Sequence, residues 1–84
     1  MKHLIVAVYD DAAGCYGRPV FVASRGLALR AFISEIKNKE QGSDLSRYPD
    51  QFRLYLLGEF DDAEGSIVML SPAELLGSGA SFCD

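Results

Sequence analysis

HLIVAVYD, residues 3–10, decides how this 84-residue chain is built. In a strand, successive side chains point to opposite faces. Leu4, Val6 and Val8 then share one face, and Ile5, Ala7 and Tyr9 share the other. Both faces are apolar, and so short a chain has little material with which to cover two sides of a sheet. Each face needs a cover, and the source of the second one is the question the rest of the chain has to answer.

DDAAGCYG (10–17) carries turn signals at Gly14 and Gly17, and PVFVAS (19–24) reads as a second strand with Pro19 at its first position. The connection is short enough for an antiparallel hairpin. Ser24 is placed as a helix N-cap. After it the period changes from two to 3.6, with Leu29, Phe32, Ile33 and Ile36 forming one apolar stripe. Arg30, Ser34 and Lys37 fall on another side, and Glu35 is spaced to pair with Lys39. The helix is expected to fade near Lys39, followed by a loop over 40–50 in which Pro49 bars continuation.

QFRLYLLGEF (51–60) reads as a third strand. Strict alternation puts Phe52, Leu54, Leu56 and Phe60 on one face, and Arg53, Tyr55, Leu57 and Glu59 on the other. DDAEG (61–65) is a hairpin turn, and SIVMLS (66–71) a fourth strand ended by Pro72. PAELL is expected to make one helical turn, with residues 77–84 as a tail whose Phe82 can dock on the body.

The order is ββαββ, an α+β domain over residues 1–76 with an antiparallel four-stranded sheet and one helix on one face. The other face holds Ile5, Ala7, Tyr9, Tyr55 and Leu57. A contiguous apolar patch of that kind rarely stays in water, so a homodimer through this face is expected. The alternative cover is the C-terminal segment folding back.

Composition narrows the function. No apolar run nears the ~20 residues of a membrane span, and the N-terminus lacks the pattern of a signal peptide. A cytoplasmic protein with no membrane partner is expected. Cys15, Cys83 and His3 do not reach the four ligands of a structural zinc site. GSG (77–79) lacks the strand, helix and lysine of a phosphate loop, and EFDDAEG misses the calcium-loop spacing. His3, the only histidine, lies in a strand next to the N-terminus and reads as a sheet-edge or surface residue rather than a catalytic base. No enzyme, metal or cofactor is expected.

The net charge of −4 is unevenly spread. Residues 18–47 carry six cations against three carboxylates, or +3, whereas residues 48–84 carry Arg53 against seven carboxylates, or −6. Single-stranded nucleic acid is held by cations that track phosphates and by aromatics on which bases stack. Arg18, Arg25, Arg30, Lys37 and Arg47 with Tyr16 and Tyr48 are the candidate set. The same cations also fit an ordinary solvated helix face.

AVYD (7–10), the Tyr16–Pro19 pair with Phe21, GLALRAF (26–32), YPD (48–50), LYLLGEFD (54–61) and Gly65 follow one another in a recognisable order. The set resembles the small nonstructural protein of gokushoviruses, single-stranded DNA phages of the microvirus family, from residue 6 to about residue 76. The chain departs from that pattern at Pro19-Val20-Phe21, where Pro and Phe are usually joined, and at Tyr48, where His is frequent. The motif positions are Tyr9, Pro19, Arg30, Phe32, Pro49, Asp50, Gly58, Asp61 and Gly65. The resemblance implies a phage protein of the host bacterial cytoplasm that binds single-stranded DNA, in genome replication or in the switch to single-strand packaging. An adaptor that engages the phage replication initiator or the capsid protein is the alternative.

Overall fold

A computed structural model describes residues 1–40 and 42–82; Cys83 lies outside the described residues. The fold is α+β, with a curled antiparallel sheet and one main helix. The strands are β1 (Lys2–Asp10), β2 (Cys15–Tyr16), β3 (Val20–Val22), β4 (Phe52–Asp61) and β5 (Ser66–Ser78). The long helix α1 spans Arg25–Lys37. The sheet order is β2-β1-β4-β5, and β3 pairs with β1 on the same edge as β2.

The expected second strand over 19–24 is shortened to β3, and the expected turn over 10–17 ends in an additional two-residue strand, β2, with Gly17, Arg18 and Pro19 between them. Pro19 has no N–H to give to β1, so the ladder breaks there and resumes at Val20↔Val6. Ser24 caps α1 as expected, its hydroxyl accepting from the Leu27 N–H at 3.1 Å. The helix buries Ala28, Phe32 and Ile36 against Leu4, Val6, Leu54 and Leu56. Leu29 packs at the margin of that core. Lys39 turns from Glu35 to the Ser46 carbonyl, 3.3 Å away. The expected loop over 40–50 contains a second short helix, α2 (Asp44–Arg47), capped by Ser43.

Two expectations are corrected at β4 and β5. Strict alternation along β4 fails because Leu57 is an extra residue. Val6 pairs with Leu56 and Ile5 with Gly58, so Leu57 has no partner on β1. Beyond the bulge the faces exchange: Glu59 pairs with Leu4 on the helix side, and Phe60 with His3 on the open side. The second correction concerns Pro72. Residues 73–78 are strand rather than a helical turn, because β5 resumes its pairing at Glu74↔Leu56. Residues 70–73 have no partner on β4, so the missing N–H of Pro72 costs the ladder nothing.

Gly58 and Gly65 behave as their sequence contexts require. A Cβ on Gly58 would stand 2.3 Å from the Val68 carbonyl oxygen, and Gly65 turns the β4–β5 hairpin at φ +67°. Phe82 docks on the body, its ring edge-on to Phe32 with centroids 6.5 Å apart.

Candidate nucleic-acid interface

The helix covers one face of the sheet, and the other face is open. Register assigns its residues: His3, Ile5, Ala7 and Tyr9 from β1, Tyr16 from β2 and Phe21 from β3. Arg53, Tyr55 and Phe60 come from β4, and Ile67, Met69 and Leu75 from β5. Ile5 and Ala7 are nevertheless buried, at 6 % and 3 % exposure, within a single chain. The larger side chains of their own face roof them over, so part of the cover sought for HLIVAVYD comes from its neighbours. Leu57 is half-buried at the bulge.

The roof is aromatic. Tyr16 stands edge-on to both Tyr9 and Tyr55, with centroids 4.9 and 5.7 Å apart. Phe60 is flanked by Phe21 at 5.7 Å and His3 at 6.0 Å. Arg53 lies among the tyrosines, its guanidinium carbon 5.3 Å from the Tyr9 centroid and 5.9 Å from that of Tyr55. Its Nη2 donates to the Asp11 carboxylate, a bond that raises the guanidinium pKa. Its buried Nε has no hydrogen-bond partner among the described residues.

The electrostatics follow from the same alternation. The strand carboxylates Asp10, Glu59, Asp61 and Glu74 all pair in register with helix-side residues. None falls on the open face, which carries Arg53 and His3 instead. Asp62, in the hairpin turn, accepts from the His3 ring at 2.9 Å. A chain with a net charge of −4 therefore presents one sheet face free of strand carboxylates.

The candidate residues read from sequence divide between two sides. Tyr16 lies on the open face, whereas Arg25, Arg30 and Lys37 lie on α1 behind the sheet, and Arg47 ends α2. Arg25 is engaged by Glu74 through two hydrogen bonds of 2.9 and 3.1 Å, which hold the Glu74 carboxyl below its usual range. Arg30, Lys37 and Arg47 are exposed and have no carboxylate partner among the described residues. Tyr48, 53 % exposed, follows Arg47. Arg18 is exposed in the gap between β2 and β3. The five residues expected at a dimer interface all belong to β1 and β4, with Tyr9 and Tyr55 inside the aromatic cluster. The candidate set leaves out Arg53, although it is interleaved with the tyrosines in sequence, as well as Phe21 and Phe60; for Phe60 the signal is hidden by the bulge.

Besides this face, a groove of ≈ 220 Å³ runs between α1 and β3, walled by Val20, Val22, Ala28, Ala31, Phe32 and Leu45, with Glu35 at its rim. No helix among the described residues is long and apolar enough to cross a membrane. Residues 3–82 match the family of Phage ORF5 proteins, and the chain belongs to that family. No curated protein and no solved structure is significantly similar to it.

Proposed function

We propose that this Phage ORF5 protein binds single-stranded DNA on the open face of its sheet. The observation that carries the reading is the sorting of charge: alternation and the Leu57 bulge send Asp10, Glu59, Asp61 and Glu74 to the helix side. Aromatic rings, Arg53 and His3 remain, the last two paired with the turn carboxylates Asp11 and Asp62. Bases stack on exposed aromatics regardless of sequence, and cations track the phosphates between them. Tyr16 and Phe21, at 44 % and 61 % exposure, offer the most accessible rings of this face.

Arg53 supplies the cation. Its ion pair with Asp11 is partly exposed on both sides, 37 % and 44 %, and such pairs contribute at most about 1 kcal/mol. A phosphate can therefore take the guanidinium at small cost, with Tyr9 and Tyr55 holding its position. Arg18, exposed two residues after Tyr16, adds a second phosphate contact. Arg30, Lys37 and Arg47 lie behind the sheet and act as a solvating surface or as a track for DNA leaving the platform.

The family and the resemblance to gokushovirus nonstructural proteins point to a role in the host bacterial cytoplasm, in genome replication or in the switch to single-strand packaging. The test is fluorescence anisotropy of a labelled oligonucleotide titrated at several salt concentrations. Log affinity is expected to fall linearly with log salt, with a slope of about 0.7 per phosphate contacted. Absence of binding at low salt would remove this reading and favour an adaptor for the phage replication initiator or the capsid protein.

A further inference from the structure

We infer that residues 66–70 of β5 are a self-pairing edge, at which a second copy of the chain adds its own β5 antiparallel and extends the sheet. The sheet has two edges, and they are treated differently. The β2/β3 edge is interrupted by Gly17, Arg18 and Pro19, which places a charge and a missing N–H where a foreign strand would dock. The second half of β5 is guarded by the break at Pro72 and by the charged Glu74. SIVML has neither charge nor proline.

This stretch is also exposed on both of its faces. Ile67 and Met69 on the open side are 56 % and 57 % exposed, and Val68 on the helix side is 65 % exposed. The helix packs over Leu54 and Leu56 and does not reach Val68. A partner strand laid along the edge would contact apolar side chains above and below while pairing the free N–H and C=O groups of β5. That combination is what strand addition needs.

Geometry then fixes the register. Antiparallel pairing of identical edges uses a two-fold axis perpendicular to the sheet, which keeps each face on its own side. Residues of like facing must meet, so one residue pairs with itself. Centring on Val68 sets Ile67 opposite Met69 of the second copy and confines pairing to 66–70. Centring on Met69 would draw in Pro72, which has no N–H. No carboxylate lies within the paired stretch, so two chains of net charge −4 meet without like charges opposed. The two open faces come to lie side by side on one surface. This inference does not rest on DNA binding.

Light scattering across a concentration series, with circular dichroism as the fold check, tests it. The native chain is expected to reach a dimer, and Val68→Lys and Met69→Lys, each placing a charge at the seam, are expected to remain monomers with unchanged spectra. In a Cys15→Ser, Cys83→Ser background, Val68→Cys is expected to give a covalent dimer with diamide, whereas Phe21→Cys is not. A monomeric native chain would overturn the inference. So would a dimer that survives both lysine variants, or one that cross-links through Phe21→Cys, the mark of face-to-face packing.

Discussion

The guanidinium carbon of Arg53 lies 5.3 Å from the centre of the Tyr9 ring, on a sheet face where register places no strand carboxylate. A cation over a ring is attracted by the ring's quadrupole, and here the ring also fixes where the cation stands. Arg53→Ala is expected to weaken single-stranded DNA binding and to lower the salt slope by about 0.7, the share of one phosphate contact on a single strand. Anisotropy titrations at several salt concentrations measure both.

In the proposed interface Tyr16 contributes stacking rather than charge. Tyr16→Ala is expected to cost about 1–3 kcal/mol of binding, roughly a 5- to 150-fold loss of affinity, with the salt slope unchanged. Tyr16 also makes edge-on contacts with Tyr9 and Tyr55, pairs worth about 0.5–1.5 kcal/mol each, so chemical denaturation of this variant should show a modestly lower midpoint with the fold retained. Equal losses on Arg30→Ala and Lys37→Ala would move the site to the helix side.

Gly58 is held to glycine by the backbone of β5. A methyl group there would stand 2.3 Å from the Val68 carbonyl oxygen and 3.0 Å from the Met69 Cα. Backbone atoms cannot swing aside as a side chain does, so β4 and β5 must separate. Gly58→Ala is expected to destabilise the fold by about 1–3 kcal/mol, the usual cost of overpacking, read as a lower denaturant midpoint.

Ser24 starts α1 through one hydrogen bond to the Leu27 N–H. Ser24→Ala is expected to cost about 1 kcal/mol, and Ser24→Gly only a few tenths. Denaturant unfolding of the pair distinguishes loss of the cap from a general effect of substitution.

The Arg25–Glu74 pair carries a pH signature. The hydrogen bond from Arg25 lowers the folded-state pKa of Glu74. Whatever this pair contributes is therefore fully present above the ordinary glutamate range and lost as pH falls through the depressed value. Carboxyl NMR titration should place the Glu74 midpoint below that of a glutamate without such a partner. Arg25→Ala should return it to the ordinary range.

Much of the fold is legible locally. The two-residue period of β1, the cap at Ser24 and the helical stripe through Phe32 and Ile36 each declare themselves within a few neighbours. What escapes depends on pairing. Pro72 reads as a stop because its missing N–H is damaging in a ladder; it is harmless where β4 offers no partner. The Leu57 bulge is equally silent in sequence, yet it decides the character of the open face. Without it, unbroken register would set Glu59 opposite His3 on the open face and turn Phe60 to the helix side. The candidate site was half legible for the same reason: tyrosines and arginines can be counted, but their sides follow from register.

In the proposed complex the open face, and not the basic helix, meets DNA. Amide shifts of the labelled protein, followed as a short single-stranded oligonucleotide is added, test it most directly. The largest changes are expected at Tyr9, Tyr16, Phe21, Arg53 and Tyr55, with α1 little affected. Changes centred on Arg30, Lys37 and Arg47, or no changes at all, would contradict it.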